Sequence, residues 1–167
     1  MQGKFVENQG AEYYSFKGIP YAEPPVGQLR FQAPVPVQKW KGVKNALEHG
    51  SYCPNKWGFF GVTSIKGGAE DCLFINVYSP DLSGKKPVMF WIHGGAFMSG
   101  NGDTTFYGPE HLVKKDVVVV SINHRFSYMG FLSTGDENAP GNQGLKDIRL
   151  ALEWVQLNIK KFGGDPD

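Results

Sequence analysis

No stretch of the 167 residues approaches the roughly 20 consecutive apolar positions of a membrane helix, so no membrane segment is expected. The residues after Met1, QGKFVENQG, contain no hydrophobic segment of the signal-peptide kind, and as written nothing is expected to export the chain. Neither sign of charge is in excess: 17 basic and 16 acidic residues leave a net charge of +1, which gives no footprint for nucleic acid or an anionic membrane surface. Cysteine is scarce. Cys53 and Cys72 have no second pair and no clustered histidines beside them, which excludes the usual zinc patterns and predicts no metal. From two cysteines alone, a disulfide and two free thiols are both open; a closed loop of this length would contribute about 3 kcal/mol. Gly84-Lys85 lacks the upstream glycine of a phosphate loop and no G-x-G-x-x-G occurs, so no nucleotide cofactor is expected.

Glycine is abundant instead. There are 22 glycines, well above the ordinary share of roughly 7%, and they collect between the apolar runs, where turns and close backbone approaches are made. Up to about Ser51 the chain is dense in turn signals. Prolines at 20, 24, 25, 34 and 36 argue against both helix and central strand and predict a segment wrapped over a surface. A Gly-rich aromatic loop follows over 52–69. DCLFINVYSP then predicts a strand stopped by Pro80. PVMFWIH and DVVVVSIN are short continuous apolar runs that fit strands covered on both faces, as in a parallel sheet. Between them PEHLVKK predicts a short helix with Pro109 near its first turn.

Strand, loop, helix, strand is a βαβ-like order and predicts an α/β layer architecture in one domain over 1–167. The strongest helical pattern is GLKDIRLALEWVQLNIKKF, in which Leu145, Ile148, Leu152, Val155, Ile159 and Phe162 recur at steps of three and four. Asn142 is placed to be its N-cap, and Gly163 and Gly164 to end it.

The stretch WIHGGAFMSGN, Trp91 to Asn101, has two readings. Paired glycines after a strand make a tight turn. They also free the backbone to offer the N–H groups of Gly95 and Ala96 to an anion, as in the oxyanion hole of a hydrolase. Such a hole serves a serine on a G-x-S-x-G elbow, and no serine here has that setting; Ser133 in GFLSTG comes nearest, with Phe131 where glycine is needed. His93 follows a buried strand and reads first as a packing residue rather than a base, and His49, His111 and His124 stand alone. Arg30 with Glu70, and Arg125 with Asp147, are candidate ion pairs, with a surface role as the default for each.

Six motifs taken together carry a resemblance: FKGIPYAEPPVGQLRF, the cysteine before a glycine-rich loop, AEDCLFINVYSP, PVMFWIHGGAFMSGN, DVVVVSINHRFSYMGFL and PGNQGLKDIRLALEWVQLNIKKFGGDPD. In this order they resemble the type-B carboxylesterase and cholinesterase family of α/β hydrolases. FLSTGDENAPGNQGLKD is most similar to the arthropod branch of general and hormone- or odorant-degrading esterases. The resemblance implies a central, mostly parallel sheet with flanking helices, and hydrolysis of a small-molecule carboxylic ester through an acyl-enzyme without a cofactor. It implies that Gly95 and Ala96 are the early oxyanion donors, that Gly94 gives the loop its freedom, and that Phe97 lies beside the acyl site. It also implies a Cys53–Cys72 disulfide, hence a secreted parent, and partly buried structural ion pairs at Arg30–Glu70 and Arg125–Asp147.

The sequence departs from the family in several places. The nucleophile elbow, the acid and the catalytic histidine find no counterpart, so we expect an amino-terminal portion truncated before the elbow and inactive alone. The opening strands are abbreviated, and His124 stands where the family's NYR motif has tyrosine. The loop between the cysteines is shorter than in the choline-binding enzymes and sets Trp57 badly for stacking on a ligand, which argues against acetylcholine. No partner chain is evident. Two alternatives are a non-catalytic binding or adhesion module, and a partial gene product with no function of its own that folds weakly because its parallel strands lack neighbours.

Overall fold

The structure, a computed structural model, describes residues 1–54 and 68–167. Trp57 and most of the Gly-rich loop lie outside the described residues.

Among the described residues five strands form one sheet: β1 (Lys4–Asn8), β2 (Ala11–Pro20), β3 (Phe74–Ser79), β4 (Val88–Trp91) and β5 (Val118–Ile122), in the spatial order β1-β2-β3-β5-β4. Only β4 and β5 run parallel; the other neighbours are antiparallel. Among the described residues the sheet is therefore mixed rather than mostly parallel. The cause is local: a hairpin opens the sheet, β3 pairs antiparallel with β2 and β5, and the one crossover runs from β4 through α1 (Glu110–Val113) to β5.

That hairpin corrects the expectation for the first 51 residues. Every proline there lies at or after position 20, and Lys4 to Ile19 are free to pair. Gln9 and Gly10 form a two-residue turn with φ of 49° and 69°, the left-handed backbone that matches the twist of two antiparallel strands. β2 thus lies inside the sheet, between β1 and β3, and Pro20 closes it opposite Phe74. The proline-rich run after it does wrap over the surface.

The period-2 alternation of the strands divides the core. Ile75, Val77, Val118, Val120 and Ile122 face one cluster, closed by Val155, Ile159 and Phe162 from the carboxyl-terminal helical segment. Tyr13, Tyr78 and Val119 face a second cluster on the opposite side, capped by Val113 of α1. β5 is buried along its whole length, as its unbroken apolar run predicts. β4 is not: Met89 and Trp91 are exposed, because β4 is the edge of the sheet and only one of its faces is covered.

Helix α2 (Ser127–Phe131) is a single turn, and α3 (Gln143–Asn158) is the long helix, continued by a 3-10 turn at Ile159–Phe162 and ended by Gly163. Asn142 occupies the N-cap position in a left-handed conformation, φ 59°, but its side chain makes no capping bond. The buried face of α3 is Gly144, Asp147, Ala151 and Val155, while Leu145 and Leu152 face outward. The inward face is thus rotated from the apolar stripe, for a reason that lies in the site.

Candidate active site

The chain leaves β4 at Trp91 and runs into the loop that carries His93 to Asn101. Gly95 has φ 139°, and a Cβ there would sit 1.8 Å from the Ser99 carbonyl oxygen, so no larger residue fits. Ala96 and Phe97 follow with φ of 51° and 61°, a left-handed conformation that residues other than glycine adopt uncommonly. The Gly95 carbonyl accepts from the N–H groups of Met98 (2.9 Å) and Ser99 (3.2 Å), closing a tight turn, and the Ser127 N–H donates to the Phe97 carbonyl at 2.7 Å. The N–H groups of Gly95 and Ala96 donate to no acceptor among the described residues. Consecutive amides left unpaired on a turned backbone are a concavity suited to an anionic oxygen.

The far end of the loop is clamped to the sheet. Gly102 donates its N–H to Asn123 Oδ1 at 2.8 Å, and its carbonyl accepts from Ser121 Oγ at 2.6 Å and Asn76 Nδ2 at 3.1 Å. These buried polar side chains on β3 and β5, and just beyond β5, fix where the loop returns. Beside the turn lies a cleft of about 260 Å³, lined by Ile92, Gly95, Phe97, Phe131, Leu145 and Ile148. Phe97 is exposed and packs edge-on against Phe131 with ring centres 5.1 Å apart.

His93 is buried beneath this loop and donates Nδ1–H to the Gly94 carbonyl at 2.9 Å. Burial, then the neighbouring His124, push its imidazole down to about 4, which makes it a poor proton acceptor near neutral pH. His124 is likewise pushed down by burial. The two rings stack with centres 4.3 Å apart and planes at 9°. Neither histidine has a partner nearby in the sequence. The signal that pairs them is register: Trp91 and Ser121 are the last partners of the parallel β4–β5 pair, and both histidines lie two or three positions beyond. His49 is bound on both sides, at Nδ1 by Asn76 and at Nε2 by Thr104, and acts in the scaffold.

The two ion pairs differ. Arg125 and Asp147 are buried, at 1% and 0% side-chain exposure, with Nε to Oδ2 at 2.9 Å and Nη2 to Oδ1 at 2.7 Å; the Arg125 backbone N–H adds a third bond to Oδ2. This explains the rotated face of α3, because Asp147 must look inward and Gly144 must pass against the Arg125 carbonyl, where a Cβ would sit 2.2 Å away. Arg30 and Glu70 are also joined at two points, at 2.6 and 2.8 Å, but the arginine side chain is 45% exposed. Partial burial is the expectation for both pairs; Arg125–Asp147 is buried outright, whereas Arg30–Glu70 belongs to the solvated surface, where water screens it. Cys53 and Cys72 form a disulfide, with both residues fully buried. Among the described residues no cluster of three or more potential metal ligands occurs, and no helix is long and apolar enough to cross a membrane.

A model of the carboxylesterase family matches residues 1–167, the whole chain. The chain belongs to the carboxylesterase family. Juvenile hormone esterase of Tribolium castaneum is 49% identical over 155 residues, 92% of this chain and 26% of that protein. Esterase FE4 of Myzus persicae is 50% identical over 165 residues, covering 95% of this chain and 28% of its own length. Para-nitrobenzyl esterase of Bacillus subtilis is 46% identical over 160 residues, 92% and 33% of the two chains. The chain thus spans about a quarter to a third of the length of the curated relatives it matches. Membership of the carboxylesterase family implies an α/β hydrolase, and the mixed sheet with few helices is consistent with a part of one.

Proposed function

We propose that this chain is the part of a serine carboxylesterase that supplies the early oxyanion donors. Gly95 and Ala96 would hold the carbonyl oxygen of a small carboxylic ester as it becomes negative, Gly94 keeping the approach open and Phe97 standing beside the acyl group. One observation carries the reading: two consecutive N–H groups, unclaimed by any acceptor among the described residues, lie on a left-handed turn at the end of β4. Each such donor contributes on the order of 3 kcal/mol to a tetrahedral intermediate. No cofactor is required, because the chemistry is acyl transfer to an activated serine. The buried disulfide fits assembly in an oxidising compartment.

No serine of the 167 residues lies on a G-x-S-x-G turn, and we expect the chain by itself not to hydrolyse esters. A fluorophosphonate probe tests this directly. The 167-residue chain should remain unlabelled, while a longer product of the same gene that includes such a turn should label at one serine. Stoichiometric labelling of the 167-residue chain would overturn the reading.

A further inference from the structure

The stacked histidines under the loop are not needed as acid or base, yet both are buried and both are oriented by a carbonyl. His93 Nδ1 faces the Gly94 oxygen at 2.9 Å and His124 Nδ1 faces the Arg125 oxygen at 3.1 Å. A carbonyl only accepts, so each ring carries its proton on Nδ1, and each Nε2 is a bare lone pair. Both Nε2 atoms are buried without a hydrogen-bond partner among the described residues. The rings are nearly parallel and stack face to face.

The bond from His93 falls on a particular peptide. The Gly94 carbonyl and the Gly95 N–H belong to one planar trans unit and point in opposite directions, so fixing the first aims the second. His93 is itself held by three neighbours. Phe126 meets it edge-on at 6.0 Å, and Gly100 lies so close that a Cβ there would be 2.1 Å from Nδ1. His124 covers its face. We propose that His124, through its stack on His93, is a positioning residue for the Gly95 N–H, and that the pair makes the alignment of the loop acid-sensitive.

The acid sensitivity follows from where a proton would go. Protonation leaves the Nδ1–H bonds in place and adds a charge to a buried ring: on His93 the new Nε2–H meets no acceptor among the described residues, and on His124 the His93 backbone and Asp147 offset only part of the cost of burial. One protonated ring is disfavoured; two, stacked at 4.3 Å, repel at short range in a buried site. The ionised neighbours are Arg125, adjoining His124, and Asp147 on α3, and they are already bound to each other. Phe126, packed edge-on against both rings, is uncharged. The rings must therefore part or turn toward water, and the Gly94–Gly95 peptide is released with them.

This inference rests on Gly95 being an oxyanion donor, but its test does not use activity. In the full chain labelled with 15N-glycine, the Gly95 amide should shift along the titration of His93 and His124, while Gly42, on a surface turn where an added Cβ meets no atom within 4 Å, stays still. His124→Phe keeps a flat ring and removes one titrating group. It should hold the Gly95 signal at its neutral position at pH 7, raise the midpoint of His93 and leave a single transition. His124→Ala should displace Gly95 at pH 7. A Gly95 signal that ignores both titrations, or that His124→Phe displaces as far as His124→Ala does, would overturn the proposal. If His124→Ala fails to fold, the pH profile of His124→Phe decides alone. Should Gly95 follow the histidines while Gly95→Ala in a longer, active product leaves turnover unchanged, the coupling stands and the oxyanion reading fails.

Discussion

Asp147 on α3 holds Arg125 at three points, the backbone N–H and two guanidinium nitrogens, with neither side chain reaching solvent. The bond ties the segment after β5 to the long helix and thereby sets the floor of the cleft beside the loop.

Breaking that pair leaves one buried charge without compensation. Asp147→Asn should therefore cost about 3–5 kcal/mol in urea unfolding, and the double change Arg125→Met with Asp147→Leu should recover much of it. A loss below about 1 kcal/mol in the single variant would show that the pair is not the clamp described.

The two loop glycines should separate. A Cβ on Gly94 meets no atom within 4 Å, whereas one on Gly95 strikes the Ser99 carbonyl. Gly94→Ala should leave stability within about 0.5 kcal/mol, because nothing in the fold resists it. Gly95→Ala should disturb the turn, and in a longer product bearing the nucleophile lower kcat by about 100-fold or more with KM less affected. Equal effects of both changes on kcat and stability would count against the assignment.

Acid should weaken the fold through His93. Burial and His124 take its imidazole from the ordinary 6.5 to about 4, so the folded state favours the neutral ring. The stabilisation is present above pH 6.5 and is lost as pH falls from 6.5 toward 4, amounting to about 3 kcal/mol. The difference in urea stability between pH 7 and pH 4.5 should shrink in His93→Asn by a sizeable part of that amount. An unchanged difference would place the acid sensitivity elsewhere.

Reduction of Cys53–Cys72, or the paired change to serine, frees a loop of 19 residues' separation and should lower stability by about 3 kcal/mol. Calorimetry with and without reductant measures it, and an unchanged midpoint would show the bond to be dispensable.

Leu145 and Leu152 face outward from α3 at 53% and 43% exposure, on a molecule that also exposes Met89 and Trp91 along β4. Exposed apolar surface of this kind promotes self-association. Leu145→Glu with Leu152→Glu should reduce light scattering of the concentrated chain while changing stability by no more than about 0.5 kcal/mol per site. Persisting association would move the sticky surface elsewhere.

What could be read from the chain was what depended on neighbours in sequence. Val118–Ile122 announced a strand buried on both faces, and the glycines and alternating leucines announced the loop and α3. The hairpin was hidden because the prolines after position 19 coloured the whole opening segment, although the turn at Gln9–Gly10 was its signal. The inward face of α3 was misjudged because a buried ion pair outranked the apolar stripe in setting the helix rotation. The histidine stack was invisible for a different reason: it arises from the register of β4 against β5 across 31 residues of chain, from 93 to 124.

The bond from the Ser127 N–H to the Phe97 carbonyl gives the loop a handle outside the cleft floor. Ser127 opens α2, and its neighbour Tyr128 is among the most exposed of the large hydrophobic residues. Drift in this surface turn can therefore retune the pitch of the amides at 95 and 96 without any change in the residues that line the cleft; on the function proposed above, chains with identical linings need not share a preference among acyl groups.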